Sequence, residues 1–424
     1  PYGIPLIMDK HIVIIGNGIT GITAARFIRK LSSNRVTVVS SETDHFYART
    51  ALMYIYMGHM RYQETKPYED HFWAKNQIDL VRGYAYKIDT DSQVVRIADG
   101  NDIAYDALLL ATGSQSNMFG WPGQDLNGVQ GLYGMQDLAL MERNTQNINR
   151  GIVVGGGLIG IEMAEMLHAR NIPVTFLVRE KSYMDYLLPK EESQLINHEI
   201  LEHGIDLRLE TELKSIQGTH SVEAIETNAN ERIDCQFVGL TAGVHPNIDL
   251  AKASSIETNR GIVVNEFFET TSPNIYAAGD CAEFNADGIG SRRVEQLWYT
   301  GRAHGKVVAN TLAGKRTPYR RGVFFNSAKF FTIEYQTYGD IPPNPEPNVK
   351  SQIFQSARKL LRINSDRETG TVLGFNAFGL RLRQDQCEAW ICEKATVSKV
   401  IDSLKKARFD PEFYSHAVYQ QAAA

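Results

Sequence analysis

His11-Ile12-Val13-Ile14-Ile15-Gly16-Asn17-Gly18-Ile19-Thr20-Gly21-Ile22-Thr23-Ala24-Ala25 is the stretch on which the fold turns. A β-branched, buried-strand run breaks into Gly-x-Gly-x-x-Gly and resumes as a helix of small and apolar residues. Each glycine has its own mechanical role. Gly16 makes the tight turn, Gly18 lets the backbone approach a pyrophosphate, and Gly21 lets helix and strand pack closely. Asn17, Ile19 and Thr20 complete the turn, where free N–H groups and the helix dipole favour a phosphate. An acid is expected about 20 residues on, to hold a ribose hydroxyl. The next strand-like run, Arg35-Val36-Thr37-Val38-Val39, is followed by Glu42 at that distance.

The chain has 424 residues, 43% of them hydrophobic, which suffices for two or three domains with sizeable cores. A net charge of -5 argues against a general nucleic-acid binder. Four cysteines, at no disulfide-scaffold spacing, suit a reducing compartment. No apolar segment is long enough to span a bilayer. The expected location is cytoplasmic, with Met8 as the natural start after a seven-residue extension.

Further along, residues 78–97 alternate apolar and polar, and are expected as antiparallel strands. Asp106-Ala107-Leu108-Leu109-Leu110-Ala111-Thr112-Gly113 is a buried strand ending in small residues that let backbone lie against a ligand. A second fingerprint follows in Gly151-Ile152-Val153-Val154-Gly155-Gly156-Gly157-Leu158-Ile159-Gly160-Ile161-Glu162, again strand, glycine triplet and helix. Its next strand, Val174-Thr175-Phe176-Leu177-Val178, leads to Arg179-Glu180-Lys181. Glu180 stands where a carboxylate accepts the 2′-hydroxyl of NADH. Arg179 and Lys181 beside it suit the 2′-phosphate of NADPH, so both nucleotides stay open. Turn residues through Gly243 mark a return crossing between domains. In Ile275-Tyr276-Ala277-Ala278-Gly279-Asp280 a strand delivers Asp280 at its carboxyl end, before an expected helix. It can accept bonds from a polyol there, or cap that helix.

In this order the motifs resemble the flavoprotein pyridine-nucleotide oxidoreductases, from about Lys10 to Phe413. The resemblance implies an α/β fold with two Rossmann-like dinucleotide-binding domains, the NAD domain inserted in the FAD domain, plus a C-terminal α+β domain. The implied divisions are 8–119 with 246–323 for FAD, 120–245 for NAD(P)H, and 324–424 as a flavin-covering and dimerisation domain. It places FAD with Glu42, Arg49 (a partner for the phosphates), Ala111, Thr112, Gly113, Gly279 and Asp280. Arg293-Val294-Glu295-Gln296-Leu297-Trp298 corresponds to a helix against the flavin ring. Glu162 corresponds to a position facing flavin and nicotinamide.

Departures narrow the chemistry. The disulfide reductases carry Cys-x4-Cys after the first fingerprint helix, yet residues 22–80 contain no cysteine, so a dithiol relay is excluded. Cys387 and Cys392 lie five apart on an expected helix, which turns their side chains away from each other. Cys281 is expected as a packed small residue. The ferredoxin-reductase type has a lysine near flavin N5 where this chain has Tyr54, which either bonds that region or packs.

The implied reaction is hydride transfer from NAD(P)H to FAD, with electrons leaving to an iron–sulfur protein such as ferredoxin or rubredoxin. Quinone or dioxygen as acceptor, or a redox-sensing subunit of a larger electron-transfer complex, are the alternatives. Val397, Val400, Ile401 and Leu404 form an apolar stripe on a helix expected over 397–408, for core packing or a dimer face rather than a membrane. Lys315-Arg316 and Arg320-Arg321 form a basic loop, either solvated or suited to an acidic carrier.

Overall fold

The computed structural model describes residues 9–285 and 293–409. Met8, the expected start, and Asp410–Phe413, the end of the family resemblance, lie outside them. Two compact units result. The first comprises residues up to Asn117, Tyr133–Leu140 and Val244–Arg320; the second comprises Met118–Leu132, Met141–Gly243 and the chain from Arg321 on.

The first unit is built on a parallel five-stranded sheet. Its order is Ile275–Ala277, Ala107–Leu110, His11–Ile15, Arg35–Ser40 and Ile78–Arg82. Strands buried on both faces read as continuous apolar runs, and Ile12 to Ile14 and Leu108 to Leu110 are fully buried. The fingerprint helix Ile19–Leu31 packs on the helix Trp298–Leu312. The approach is close because a Cβ on Gly305 would stand 2.5 Å from the Thr20 carbonyl oxygen.

Two expectations are corrected here. Ile78–Arg82 is a parallel edge strand of the main sheet, and antiparallel pairing begins only with Tyr84–Asp89 and Val94–Ala98. Among the described residues, the segment directly after Asp280 is a strand and not a helix. Ala282–Phe284 is a strand parallel to Ile262–Val264, anchored by the buried Glu283 carboxylate, which accepts from Gly261 N–H and Asn259 Nδ2, both at 2.8 Å.

The second unit repeats the parallel plan, in the order Asp206–Arg208, Val174–Leu177, Gly151–Val154, Phe237–Leu240 and Val129–Gln130. It also holds the C-terminal antiparallel sheet, ordered Phe325–Phe330, Ile333–Gly339, Val372–Phe378, Lys359–Asp366 and Val349–Ser356. The helix expected over 397–408 is broken. Val397–Asp402 ends at Ser403, whose hydroxyl bonds back to the Lys399 carbonyl at 2.6 Å, and a 3-10 turn, Leu404–Ala407, follows. Val400 and Leu404 are buried in the C-terminal core, with Val397 and Ile401 packed against it. The stripe is therefore a packing face. Cys387 is buried on the helix Gln384–Cys392, Cys392 is exposed, and both are free.

Charge ties the C-terminal sheet to the helix Lys190–Glu202. Arg362 Nε meets Glu192 at 2.5 Å with side chains only 4% and 0% exposed, and its Nη2 reaches Glu191 at 2.7 Å. At the other end of that helix, Thr332 N–H donates to Glu199 at 3.0 Å. A buried pair broken on one side leaves an uncompensated charge, at a cost of about 3–5 kcal/mol. Urea unfolding of Arg362→Met is expected to show a loss of that order, and Arg362→Met with Glu192→Leu is expected to recover part of it.

Candidate functional site

The first fingerprint closes by backbone contact. A Cβ on Gly16, whose φ is +114°, would stand 2.1 Å from the Ala111 carbonyl oxygen. One on Gly21 would stand 2.0 Å from the Gly16 carbonyl oxygen. Gly18 differs: nothing lies within 4 Å of where its Cβ would be. Two glycines are thus used by the fold, while the middle one faces open space at the N-terminus of a 13-residue helix. Asn17 Nδ2 donates to the Thr43 carbonyl at 2.8 Å and holds the turn. Thr20 is buried against Gly279, whose φ is +83° and whose Cβ would fall 2.4 Å from Thr20 Oγ1. A dinucleotide's pyrophosphate fits this cradle.

Glu42 stands beside the turn in a closed network. Its carboxylate accepts from Arg49 Nη2 at 2.5 Å, Arg49 Nη1 at 3.0 Å, Tyr47 Oη at 2.5 Å and Met135 N–H at 3.0 Å. Burial opposes its charge, but Arg49 and these donors prevail and hold the carboxyl below its ordinary range. Arg49, expected as a partner for the cofactor's phosphates, turns to Glu42 in this structure. Both its terminal nitrogens are committed to Glu42, and Nη1 also donates to the Tyr133 carbonyl at 2.6 Å. Its guanidinium lies 4.5 Å over the Tyr133 ring. The carboxylate seven residues away is simply the nearest anion.

Asp280 lies at the end of its strand, as expected. Its Oδ2 accepts from Ser114 Oγ at 3.0 Å and Tyr133 Oη at 3.5 Å, and Gln296 Nε2 donates to Ser114 Oγ at 2.8 Å. Burial raises its pKa, against the pull of Ser114, Arg49 and His304. Thr112 Oγ1 donates to the Asn247 carbonyl at 2.6 Å, and Asn247 N–H donates to the Gly113 carbonyl at 2.9 Å. That pins the Ala111–Gly113 turn beside Gly16. Glu295, expected as a cofactor contact, has protein partners here. Glu295 is buried, accepting from Tyr319 Oη at 2.8 Å and facing His304 Nε2 at 3.2 Å. His304 Nδ1 accepts Gly279 N–H at 3.1 Å, so the ring proton belongs on Nε2. Glu295 therefore supports the Gly279–Asp280 loop from below, and both Glu295 and Gln296 precede the helix that begins at Trp298. Tyr54 lies on the short helix Leu52–Tyr56 with its ring stacked on His59 at 6.3 Å. Cys281 is fully buried, its thiol donating to the Leu110 carbonyl, and burial raises its pKa. Arg316 in the basic loop is neutralised by Glu269, with bonds of 2.8 and 2.7 Å.

The second fingerprint closes in the same way. A Cβ on Gly155 would stand 2.7 Å from the backbone of Thr241 and Ala242, and one on Gly160 would stand 2.1 Å from the Gly155 carbonyl oxygen. A Cβ on Gly157 would have only the Tyr186 hydroxyl near it, at 4.0 Å. Leu158 and Ile159 begin the helix and are partly exposed, and Gly243 follows the strand Phe237–Leu240 with a φ of +86°. Glu180 is 16% exposed and accepts from Arg179 Nε at 3.0 Å, while Arg179 is 74% exposed. Glu162 is partly buried, and burial with the charge of Glu165 pushes it up to about 7 against the pull of Lys329. Sequence reasoning alone misses Tyr133, Ser114, His304, Tyr186 and Lys329. None lies in a pattern that marks it, since their partners are distant in the chain.

Two open glycine cradles, each followed by an acid, define a protein that takes two dinucleotides. A model for pyridine nucleotide-disulphide oxidoreductases matches residues 10–305. The chain is 31% identical over 297 residues to the assimilatory nitrate reductase electron transfer subunit of Bacillus subtilis (strain 168), covering 69% of this chain and 38% of that protein. It is 31% identical over 326 residues to rhodocoxin reductase of Rhodococcus erythropolis, covering 75% and 76%. A ferredoxin reductase from Rhodopseudomonas palustris has a similar fold, with a TM-score of 0.79 and 21% identity over 98% of this chain and all of that one. The chain thus spans well under half the length of the nitrate reductase subunit. It belongs to the pyridine nucleotide-disulphide oxidoreductase family, whose cofactors are FAD and NAD(P)H.

The glycine geometry separates stability from binding. Gly16→Ala is expected to cost at least about 1–3 kcal/mol in unfolding of the apoprotein, because the backbone there excludes a Cβ. Gly18→Ala is expected to change unfolding by less than about 0.5 kcal/mol and to lose bound flavin, read as the visible-to-ultraviolet absorbance ratio after purification.

Proposed function

We propose that the protein is an FAD-dependent NAD(P)H oxidoreductase that delivers electrons to a protein iron–sulfur carrier such as a ferredoxin or rubredoxin. The observation that carries this is the pair of open cradles, at Gly18 and Gly157, in a chain whose four cysteines are all free and nowhere paired beside the first fingerprint. FAD supplies the hydride acceptor and then releases electrons singly. The chain's residues bind and orient. The Gly16–Gly21 turn, Asn17, Ile19 and Thr20 present N–H groups to one pyrophosphate. Glu42, with Arg49 fixing its charge, offers carboxylate oxygen to the adenosine ribose. Asp280, held by Ser114 and Tyr133, faces the polyol chain beside Ala111, Thr112 and Gly113. The Gly155–Gly160 turn, with Leu158 and Ile159, takes the nicotinamide nucleotide, and Glu162 orients the nicotinamide edge. Tyr54 is proposed as catalytic with Glu162, and Glu295, Gln296 and Gly243 as cofactor-binding. A three-domain division at 8–119 with 246–323, 120–245 and 324–424, a homodimer, and a cytoplasmic location belong to the same proposal. The free cysteines support the last of these. Among the described residues, no helix is long and apolar enough to cross a membrane.

NADH is the proposed donor. Arg179 is paired with Glu180, which leaves a carboxylate for a 2′-hydroxyl and commits the guanidinium that a 2′-phosphate would need. The likeness to an electron transfer subunit, of which this chain spans 38%, favours a second reading: a flavoprotein subunit of a larger electron-transfer complex, in which nicotinamide binding sets the redox state of the assembly. Quinone or dioxygen would then be a side acceptor.

Anaerobic titration of the purified protein with NADH, and separately with NADPH, tests the first reading. Stoichiometric NADH is expected to bleach the flavin band, NADPH much less so. Flavin that neither nucleotide bleaches would move the assignment to the subunit reading. Glu180→Ala is expected to weaken NADH binding about tenfold or more, the worth of a hydrogen bond to a charged group.

A further inference from the structure

Glu162 and Glu165 are three residues apart on the helix Leu158–Ala169, so their carboxyls share one face. Glu165 is 7% exposed and pairs with Lys329 Nζ at 2.5 Å. Lys329 lies on the first strand of the C-terminal sheet, Phe325–Phe330. Its neighbour Phe330 meets the Tyr183 ring edge-on at 5.9 Å, and the Tyr183 hydroxyl donates to the Gly157 carbonyl at 3.0 Å. One strand of that sheet therefore reaches the second fingerprint twice, at the turn and at the helix face that carries Glu162. Among the described residues, the titratable and charged groups bearing on Glu162 are Glu165 from its own helix, Lys329 from the strand and Tyr183 from the loop that follows Glu180. Lys329 is 31% exposed and Glu162 half-buried, and two carboxyls with one ammonium are neutral only when one carboxyl keeps a proton.

We propose that Lys329 is a positioning residue for the nicotinamide site: its ion pair claims the Glu165 carboxylate, which leaves Glu162 to meet the nucleotide as a neutral hydrogen-bond donor. This rests on the reading that the second fingerprint binds NAD(P)H. It gives the C-terminal sheet a part in the site beyond covering it. Glu162 is pushed up to about 7 by burial and then by Glu165, with Lys329 acting in the opposite sense, which agrees with a triad sharing one proton. The pair is therefore half-protonated near neutral pH, and nucleotide affinity falls as pH rises and Glu162 ionises.

The test uses the full-length, flavin-loaded protein. The carboxylic-acid carbonyl band is titrated by infrared spectroscopy, and the Kd of NAD+, which does not turn over, is measured from pH 5.5 to pH 9. The wild type is expected to lose the band with a midpoint near 7 and to bind NAD+ about tenfold more weakly at the alkaline end. Lys329→Met is expected to raise the midpoint by a unit or more, because the doubly ionised pair loses its cation. Glu165→Gln is expected to lower it, because Glu162 then faces Lys329 without a competing anion. Glu162→Gln removes the band, and Lys329→Arg restores the wild-type midpoint. A midpoint unmoved by Lys329→Met overturns the proposal. If Lys329→Met does not fold, Glu165→Gln decides by its sign, and an unchanged or raised midpoint overturns it. Midpoints that shift as expected in a protein that binds no NAD+ at any pH would sink the nicotinamide reading of the second fingerprint while leaving the charge coupling in place.

Discussion

The structure depends on two places where backbone meets backbone with no room for a side chain. At Gly16 and Ala111, and again at Gly155 and Thr241, a central strand leaves its sheet only because no Cβ stands between it and the neighbouring strand's end. Gly21 and Gly160 then let each helix lie on the turn that produced it. Any side chain there would push the helix away from the sheet and move its first N–H groups, the groups a phosphate requires. Closure is what leaves Gly18 and Gly157 facing outward. Binding capacity follows from a packing constraint, and both halves of the chain meet it in the same way.

Around those turns, three carboxyls are set to different charges by what surrounds them. Glu42 is half-buried, yet Arg49, Tyr47 and a backbone N–H keep it ionised. Asp280 is half-buried, bonded by the Ser114 and Tyr133 hydroxyls, and its pKa rises. Glu162 is partly buried beside a second acid and rises to about 7. Burial acts alike on all three, so the difference lies in the partner: a bidentate guanidinium, two hydroxyls, or an ammonium already pledged to a neighbour. This suits the proposed roles, a fixed anion at a ribose, a polyol acceptor, and a group that changes protonation where nucleotide chemistry occurs.

Local pattern makes the two fingerprints legible in the sequence, together with Glu42, Glu180, Asp280 and the strand-rich C-terminal sheet. These signals are written in consecutive residues: period-two apolar runs, glycine spacing, an acid at a set distance. Local pattern misleads where a long-range partner decides. Arg49 reads as a phosphate partner, and nothing local announces its bonds to Glu42 and Tyr133. Glu295 reads as a site residue, and nothing local announces its bonds to His304 and Tyr319. Ala282–Phe284 reads as the start of a helix, but Glu283 is anchored by Asn259 and Gly261 from outside that strand. Ile78–Arg82 alternates like its antiparallel neighbours, because an edge strand of a parallel sheet also has one wet face. Tyr133, Ser114 and Lys329 carry no local signal at all.

The resemblance expects a lysine at the position of Tyr54, a residue that here stacks on His59. The helix acids of the second fingerprint take their cation instead from Lys329, on the C-terminal sheet. The same sheet is tied to the neighbouring helix Lys190–Glu202 by Arg362 to Glu191 and Glu192, and by Thr332 to Glu199. Buried ion pairs add little net stability over apolar packing, but they penalise every arrangement that separates the partners. One buried ion pair and one hydrogen bond, at opposite ends of one helix, hold the sheet's strands in register against it. Fixed in that way, Phe325–Phe330 keeps Lys329 within bonding distance of Glu165 and Phe330 against Tyr183. The charge at the second fingerprint is thus set by a distant part of the chain, and that part is held in place by charge as well.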